Sequence, residues 1–380
     1  MTEPILEVDE AWMARAIEQA RLSRPSPNPP VGAVVLDRDG QLVAEAHHVR
    51  AGEAHAEEAA LTLAGERAAG GTLYVTLEPC NHRGRTPPCV DAVLRSKVAR
   101  VVVGCHDPNP HVEGGGADRL RESGLEVVVG AGGADVQALV VPWTTFITTG
   151  IPHVSLKLAL SLDGRIATRT GASRWVTGPE ARAKVQELRA RNDAVAVGVG
   201  TALADDPRLT IRDPDVMVAQ GAPMRRIVFD TRLRTPLHSK LVQTASEVPT
   251  WILTGNDAPS PGEQALVDAG CEVFRVPLGA GGRVDVGVAL RTLAKAGIVS
   301  LLVEGGSELA GSLLAARVVH EIHAFIAPIL LGPRGRPGAV DWAGPSSPAD
   351  APRILEPTWE LCGRDAYVSG PVEFPEKTAT

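Results

Sequence analysis

Residues 78–89 read Glu78-Pro79-Cys80-Asn81-His82-Arg83-Gly84-Arg85-Thr86-Pro87-Pro88-Cys89, and about twenty residues before them stands His55-Ala56-Glu57. One imidazole and two thiols, from His55, Cys80 and Cys89, suit a tetrahedral zinc ion whose fourth position stays open for water. Structural zinc sites instead close all four positions with protein ligands, and His82 as a fourth ligand keeps that alternative open. The stretch therefore predicts a zinc centre, of the catalytic kind, in the first half of the chain.

A carboxylate stands two positions after the predicted histidine ligand. Glu57 is expected to reach a water molecule at the metal without binding the metal itself, and one carboxylate there can serve both proton transfers of a hydrolytic deamination. His-x-Glu followed by Pro-Cys is the signature of zinc deaminases. Either motif alone is weak, since two buried thiols would also explain the cysteines. Together and in this order, they predict removal of an amino group from a pyrimidine-type ring.

Four motifs make the match narrower: Pro27-Asn28-Pro29-Pro30-Val31-Gly32, His55-Ala56-Glu57, Thr76 to Cys89, and Asp107-Pro108-Asn109-Pro110. In these motifs the chain resembles the bacterial bifunctional riboflavin-biosynthesis (RibD) family, and the long spacing between the cysteines separates it from cytidine and tRNA adenosine deaminases. The resemblance implies a cytidine-deaminase-like three-layer α/β domain, with zinc on His55, Cys80 and Cys89 and with Glu57 moving protons. It also implies that Asn28 meets the substrate ring through its amide, a turn asparagine between prolines being the alternative.

The second half carries a weaker chemical signal. A predicted strand, Ser300 to Val303, leads through Glu304-Gly305-Gly306-Ser307 into a predicted helix. Such a glycine turn lets backbone amides approach a phosphate at the helix start, but it also serves close packing alone. No six-residue dinucleotide fingerprint follows a first strand, which disfavours a dehydrogenase of that class. The residues by themselves leave both interpretations of the turn open.

The resemblance to the same family continues through Ser155–Arg165, Gly198–Pro207 and Val303–Gly306. It implies a dihydrofolate-reductase-like domain that uses NADPH. The positions implied to contact the nucleotide are Ala159, Trp175, Thr201, Asp205, Thr231, Gly306 and Ser307. The positions implied to contact the substrate are Ser173, Arg189, Leu209, Arg212 and Glu304. Arg189 and Arg212 suit a ribose phosphate, which a guanidinium grips through two hydrogen bonds, and Lys157 would polarise the sugar carbonyl. The alternatives are a surface salt bridge for either arginine and a solvated side chain for Lys157.

Alternating helices and strands predict an α/β protein of two domains. The elements predicted in the first half include a helix from Val8 to Leu22 capped by Asp9, a hairpin of Val31–Leu36 and Leu42–Ala46, and strands at Leu73–Leu77, Val101–Gly104 and Glu126–Val129. Those in the second half include strands at Val154–Ala159, Ala194–Val199, Arg226–Asp230, Trp251–Thr254 and Ser300–Val303, and a helix from Glu180 to Arg191 with a capping box of Thr177 and Glu180. The stretch from Pro142 to Pro152 is interpreted as the connection, so the predicted domains are residues 1–147 and 148–380.

Composition excludes some classes of function. The chain has 380 residues, 44% of them hydrophobic, a net charge of -7, and no apolar run long enough to cross a bilayer. The acidity disfavours a nucleic-acid partner, and the absence of a secretion signal predicts a cytoplasmic location. Five scattered cysteines argue against a disulfide framework, and Cys105, Cys271 and Cys362 are interpreted as packing residues.

These observations together predict a two-step enzyme acting on a small phosphorylated pyrimidine. The resemblance implies deamination of 2,5-diamino-6-(5-phosphoribosylamino)pyrimidin-4(3H)-one, then NADPH-dependent reduction of 5-amino-6-(5-phosphoribosylamino)uracil to the ribityl product, by a homo-oligomer, most simply a dimer. Two alternatives stay open: a zinc nucleoside or tRNA deaminase with a non-catalytic C-terminal domain, and a non-enzymatic scaffold held together by zinc. The first alternative predicts no NADPH oxidation, and the second predicts no ammonia.

Overall fold

A computed structural model describes residues 5–82, 87–110, 115–216, 219–332, 334 and 338–376. Helices and strands alternate along the chain, so the predicted α/β class is confirmed. The chain divides into two compact units, one comprising Met1–Gly150 with Val218–Ala222 and the other Ile151–Met217 with Pro223–Thr380. Within the described ranges, none of the helices combines the length and the apolar character that a membrane span requires.

The elements follow one another in chain order. The first half contains α1 (Glu7–Ala20), β1 (Ser23–Arg24), β2 (Gly32–Leu36), β3 (Leu42–His47), α2 (Ala56–Ala64), β4 (Thr72–Leu77), α3 (Cys89–Ser96), β5 (Arg100–Cys105), α4 (Gly116–Glu122), β6 (Glu126–Val129) and α5 (Gly133–Thr149). The middle contains β7 (His153–Ser161), α6 (Pro179–Ala190), β8 (Ala194–Gly198), α7 (Val199–Asp205), β9 (Gln220–Gly221), β10 (Arg225–Phe229), α8 (Lys240–Gln243) and β11 (Thr250–Gly255). The last part contains α9 (Ser260–Asp268), β12 (Glu272–Val276), α10 (Val286–Lys295), β13 (Ser300–Val303), α11 (Ser307–Ala315), β14 (Glu321–Ala327), β15 (Arg353–Ile354), β16 (Thr358–Cys362) and β17 (Asp365–Glu373). Short 3₁₀ helices lie at Gly65–Ala68 and Pro348–Asp350.

The first unit is built on a five-stranded sheet in the order β3-β2-β4-β5-β6. β2 pairs antiparallel with β3 and β4, while β4, β5 and β6 run parallel. The predicted β2–β3 hairpin is present, and Asp37 Oδ1 fixes its turn by accepting hydrogen bonds from the backbone N–H groups of Asp39 and Gln41 at 3.1 and 2.9 Å. Because β4 and β5 are parallel, the residues that follow them meet at one edge of the sheet.

Helices cover this sheet in two groups, α1 with α5 and α2 with α3 and α4. α1 lies against β2 and β4, and Gly32 permits the close approach, because a Cβ atom there would lie 1.9 Å from the carbonyl oxygen of Ala16. α2 contacts β2 and β3. The first unit is therefore the predicted three-layer α/β domain, and its buried strands β2 and β4 carry the core.

The cap predicted for α1 is wrong. Leu6 is the N-cap residue, and the Asp9 carboxylate accepts the Leu6 N–H at 2.8 Å from within the first helical turn. Asp9 is fully buried, and its Oδ1 lies 2.6 Å from Nη1 of Arg100. A long-range ion pair with β5, which the local sequence does not show, therefore decides the position of this aspartate.

Most of the stretch interpreted as the connection is helical, and the two units divide just after it, between Gly150 and Ile151. α5 runs through Pro142 and ends only at Thr149. Its buried residues Val136, Val140 and Trp143 recur at helical spacing. Packing of this apolar face therefore maintains the helix past a residue that usually interrupts one.

The second unit contains a ten-stranded sheet in the order β12-β11-β10-β8-β13-β7-β14-β17-β15, with β16 also paired to β17. In this spatial order, each strand from β12 through β14 is parallel to its neighbour. β17 pairs antiparallel with β14, β15 and β16. β13 enters the sheet between β7 and β8, so the strand order reverses at this point. Ligands of open parallel sheets bind beyond the carboxyl ends of the strands at such a reversal.

Alternate residues of β8 face two separate cores. Ala194 and Ala196 belong to a hydrophobic cluster that includes residues of α10 and α11, while Val195 and Val197 belong to one that includes residues of α6. A strand buried on both faces has a continuous apolar sequence, as Ala194–Val197 does. The sheet therefore has helices on both faces.

The capping box predicted at the start of α6 is absent. Gly178 is the N-cap residue, Pro179 is the first helical residue, and no side-chain cap is made. The Gly178 N–H instead donates to Asp365 Oδ2 at 2.6 Å, and the Thr177 carbonyl accepts a hydrogen bond from Arg182 at 2.7 Å. Pro179 suits the first helical position because proline lacks a backbone N–H, and an N–H at this position would have no partner within the helix. The helix start is thus satisfied by β17, which is remote in sequence.

Candidate active sites

Three potential metal ligands converge in the first unit. Cys80 follows the end of β4, Cys89 begins α3, and His55 is the N-cap residue of α2. The His55 Nδ1 atom lies 3.1 Å from the Cys89 sulfur and 3.6 Å from the Cys80 sulfur, and all three ligand atoms lie within 4.8 Å of one another. Tetrahedral zinc, with bonds of about 2.0 Å to nitrogen and about 2.3 Å to sulfur, separates the two donors by roughly 3.5 Å. The donor set and its spacing therefore fit zinc.

The surroundings of Cys80 favour its thiolate. Hydrogen bonding from the Cys89 thiol, assisted by His55 and by the Cys89 backbone N–H, lowers the pKa of Cys80 to about 4. This N–H lies at the start of α3 and donates to the Cys80 sulfur over 3.3 Å. Because the thiolate is the form of cysteine that binds metal, the lowered pKa of Cys80 favours metal coordination.

Glu57 lies in the first turn of α2, beside the three ligands. Its side chain is buried, with 3% of the residue exposed, and the carboxyl group contacts the Cys89 thiol. Burial raises the pKa of Glu57 to about 7, although backbone hydrogen bonding and the charge of His55 oppose the shift. A carboxyl group with such a pKa both accepts and donates protons at neutral pH.

Asn28 is held by a histidine that no sequence motif indicated. The Asn28 Nδ2 atom lies 3.0 Å from His48 Nε2, and His48 Nδ1 lies 3.0 Å from the carbonyl oxygen of Ala54. The carbonyl can only accept, so Nδ1–H of His48 donates to it and Nε2 accepts from the Asn28 amide. Burial lowers the pKa of His48 and keeps this ring neutral. The His48 ring also meets the His55 ring edge-on at 5.1 Å, which places the oriented amide near the ligands.

Glu78, which directly follows β4, forms hydrogen bonds to the segments that follow β5 and begin α4. Its carboxylate accepts hydrogen bonds from the backbone N–H groups of Asp107 and Ala117 at 3.1 and 2.8 Å, and His106 Nδ1 lies 2.9 Å away. Among the residues that the structure describes, His82 does not join the ligand group of His55, Cys80 and Cys89. The part of the motif comprising Arg83-Gly84-Arg85-Thr86 lies outside the described residues.

Two adjoining cavities open in the second unit beyond the carboxyl ends of β8 and β13. Their volumes are about 390 and 730 Å³, and both are lined by Ser173, Thr201, Asp205 and Gly306. The residues predicted from the resemblance that line only the smaller cavity are Lys157, Ala159, Trp175, Arg189, Leu209, Arg212 and Glu304. Those that line only the larger cavity are Thr231 and Ser307. The fold thus brings every predicted reductase position to one of the two cavities.

A buried ion pair forms part of the wall of the smaller cavity. Arg189 Nε and Nη2 lie 2.5 and 2.9 Å from the two oxygens of Glu304, and Nη1 donates to the carbonyl oxygen of Thr210 at 2.7 Å. Burial disfavours both charges, but the charge of Arg189 lowers the pKa of Glu304, and Glu304 raises the pKa of Arg189. Burial also lowers the pKa of Lys157, which Glu304 opposes. Arg189 is therefore already neutralised, whereas Arg212 has no ion pair with any described residue.

The turn from β13 into α11 is open where the two cavities meet. Gly305 and Gly306 adopt φ angles of 95° and 87°, in the region that favours glycine. A Cβ atom at Gly306 would lie 3.3 Å from Thr201 Oγ1 and would fill this space. α11 then begins at Ser307, and its first three residues line the larger cavity. Room for close backbone approach at a helix start fits the phosphates of NADPH.

Several arginines line the cavities although no motif predicted them. Those on the smaller cavity are Arg174, Arg182 and Arg208, and those on the larger are Arg232, Arg234 and Arg283. Single arginines in loops or, like Arg182, in a helix have no characteristic spacing, so only the fold shows that they converge. Their charge suits phosphorylated ligands despite the net acidity of the chain.

Comparison with known families assigns each unit to a class. Residues 6–105 match the model of the cytidine and deoxycytidylate deaminase zinc-binding region, and residues 152–367 match that of the RibD C-terminal domain. Fold and site thus define a zinc deaminase domain followed by an NADPH-dependent reductase domain of the dihydrofolate-reductase-like fold. The chain belongs to the RibD family of riboflavin biosynthesis proteins.

Relatives match along nearly the whole chain. The RibD proteins of Escherichia coli K12 and Bacillus amyloliquefaciens are 42% and 40% identical, each over 91% of this chain and over 94% and 92% of their own. A solved structure of Acinetobacter baumannii RibD (form 1) has a TM-score of 0.82 at 36% identity, over 96% of this chain and 99% of that one. A Thermotoga maritima structure described as a diaminohydroxyphosphoribosylaminopyrimidine deaminase/5-amino-6-(5-phosphoribosylamino)uracil reductase has a TM-score of 0.80 at 33% identity, over 97% and 99%. Both halves of this chain therefore have counterparts in single family members.

Proposed function

We propose that this chain catalyses two successive steps of riboflavin biosynthesis. Water first replaces the 2-amino group of 2,5-diamino-6-(5-phosphoribosylamino)pyrimidin-4(3H)-one, which releases ammonia and leaves 5-amino-6-(5-phosphoribosylamino)uracil. NADPH-dependent reduction then turns the ribosyl chain of that product into a ribityl chain. One observation carries the proposal: a single chain holds the His55, Cys80 and Cys89 group with buried Glu57 beside it, and also a pair of basic cavities at the strand reversal of a second sheet.

In the proposed first step, the ligands are His55, Cys80 and Cys89. Zinc, when bound, makes a water molecule nucleophilic at neutral pH. Glu57 takes a proton as water attacks the ring carbon and gives a proton to the departing nitrogen. Asn28, oriented by neutral His48, offers one donor and one acceptor to the ring. The oxygen of water thus becomes the new carbonyl oxygen, one of its hydrogens completes the ammonia, and the other ends on the ring nitrogen.

In the proposed second step, NADPH supplies hydride to C1 of the opened ribose or of its imine. Lys157 donates a hydrogen bond to the atom that gains negative charge. Arg212 binds the ribose phosphate, while Arg189 holds Glu304 against the substrate through their ion pair. Ser173 and Leu209 complete the substrate contacts, and the nucleotide contacts are Ala159, Trp175, Thr201, Asp205, Thr231, Gly306 and Ser307.

Residues 1–147 are proposed as the deaminase domain and residues 148–380 as the reductase domain. The family models support this division, since one ends at residue 105 and the other begins at residue 152. A homodimeric, cytoplasmic enzyme without a nucleic-acid partner stays a prediction from the sequence.

The experiment that tests the proposal supplies the purified full chain with the diamino pyrimidine, with and without NADPH. Ammonia should appear in both samples, because hydrolysis needs no reductant. The ribityl product should appear only with NADPH, one molecule for each NADPH oxidised. Ammonia from cytidine or tRNA without NADPH oxidation would instead favour a nucleoside or tRNA deaminase. No ammonia from any of these substrates would contradict the first step.

A further inference from the structure

A braced turn after β10 carries two arginines of the larger cavity. Arg232 and Arg234 both line this cavity, while Leu233 between them packs against the hydrophobic core. Asp230 fixes the turn, because its Oδ2 accepts hydrogen bonds from the Thr235 backbone N–H at 2.6 Å and from the Thr235 hydroxyl at 2.7 Å. The fold therefore holds the backbone of both arginines in place beside the cavity.

Neither of these guanidinium groups has an acidic partner in the described part of the chain. The acids that line the same cavity are already engaged. Glu308 pairs with Arg283 at 3.3 Å, and Asp205 accepts a hydrogen bond from the Ser173 hydroxyl at 2.6 Å. Two like charges two residues apart repel one another, and an anion between them would relieve that repulsion. The uncompensated charge points to a bound phosphate.

The position of this charge distinguishes between the phosphates of a dinucleotide. The larger cavity adjoins the smaller one at Thr201 and Gly306, so a cofactor whose reacting end meets Lys157 can extend past this junction into the larger cavity. The start of α11 at Ser307 is suited to the pyrophosphate, whereas Arg232 and Arg234 lie on a separate turn of the cavity wall. The cavity wall therefore carries a second cationic segment, separate in sequence from that helix start.

We propose that Arg232 and Arg234 bind the 2′-phosphate of NADPH and thereby set the preference for NADPH over NADH. This phosphate carries between about one and two negative charges and is absent from NADH. Guanidinium groups bind phosphate through paired, charge-assisted hydrogen bonds, which a neutral ribose hydroxyl cannot replace. The inference rests on the proposed reductase function and specifies how it selects its cofactor.

The direct test measures binding of two small probes to the full chain by titration calorimetry. Adenosine 2′,5′-bisphosphate and adenosine 5′-monophosphate differ only in the 2′-phosphate. The wild-type chain should bind the bisphosphate more tightly. In the Arg232→Ala/Arg234→Ala variant, affinity for the bisphosphate should fall about ten-fold to a hundred-fold, as for loss of hydrogen bonds to a charged group, while affinity for the monophosphate stays within about two-fold. Arg291→Ala, an exposed arginine on α10 outside both cavities, is the matched control and should change neither.

Steady-state reduction provides a second measurement. The ratio of kcat/KM for NADPH to that for NADH should fall by the same factor in the double variant, through a higher KM for NADPH with kcat unchanged. Equal binding of both probes by the wild-type chain, or an unchanged ratio in the double variant, would overturn the inference. If the wild-type chain prefers the bisphosphate but does not reduce the uracil substrate, the proposed function fails while the assignment of the two arginines stands.

Discussion

Glu57→Gln should release ammonia from the diamino pyrimidine about a hundred-fold to ten-thousand-fold more slowly than the wild-type chain. The amide has nearly the shape of the carboxylic acid but cannot take a proton from water or pass one to the departing nitrogen. KM should change little, because Glu57 acts on the water and the leaving group and Asn28 binds the ring. The measurement is the rate of ammonia release at saturating substrate without NADPH.

The adjacent acid provides the control for this variant. Glu58 lies in the same helical turn and outside the ligand group of described residues, so Glu58→Gln should deaminate at nearly the wild-type rate. Both variants should reduce supplied 5-amino-6-(5-phosphoribosylamino)uracil normally, because the cavities of the second unit are unchanged. Deamination by Glu57→Gln at the rate of Glu58→Gln would show that another group moves the protons.

Arg189→Ala should lose reduction of the uracil substrate and destabilise the second unit. Its guanidinium is the partner of Glu304, and both side chains are only 8% exposed. Removing one member of a buried ion pair leaves the other charge unpaired, which costs about 3–5 kcal/mol of unfolding free energy. The measurements are denaturant unfolding of the second unit and NADPH oxidation with supplied uracil substrate, while ammonia release reports that the first unit stays folded.

Arg191, at the same end of α6, provides the control for removing a positive charge from an exposed position. Arg191 is 74% exposed and pairs with Glu187 only at 3.7 Å, so Arg191→Ala should change stability by less than about 1 kcal/mol. Glu304→Gln keeps the volume of the side chain but also leaves the Arg189 charge unpaired, so it should destabilise the second unit as well and fail to reduce substrate. Equal stability of Arg189→Ala and Arg191→Ala would contradict the role given to the buried pair.

The sequence was sufficient for features that depend on residues close together in the chain or on a strict spacing. The β2–β3 hairpin follows from Asp37 and Gly40 between apolar runs, and the carboxyl ends of parallel strands bring separate motifs to one edge. His55, Cys80 and Cys89 converge because His55 is the N-cap residue of α2, Cys80 follows β4 and Cys89 begins α3. Residue type and spacing therefore located the candidate metal centre.

Features that depend on distant partners could not be predicted. Asp9 was predicted to cap α1 but is buried in an ion pair with Arg100. The N–H group at the start of α6 donates to Asp365, which lies 187 residues further along the chain. His48 belongs to no motif, and its contact with Asn28 exists only once the end of β3 and the loop before β2 are folded. The reductase positions came from family resemblance, since spacing alone left even the Gly305-Gly306 turn undecided. Arg232 and Arg234 were not indicated at all, because cavity walls are assembled from loops far apart in sequence.

The metal content of the purified, active chain tests the central claim most directly. Elemental analysis should find one zinc ion per chain in the wild-type protein and almost none in Cys89→Ala, which should also lose ammonia release while still oxidising NADPH with the uracil substrate. Wild-type protein that contains no metal yet releases ammonia at full rate would contradict the account.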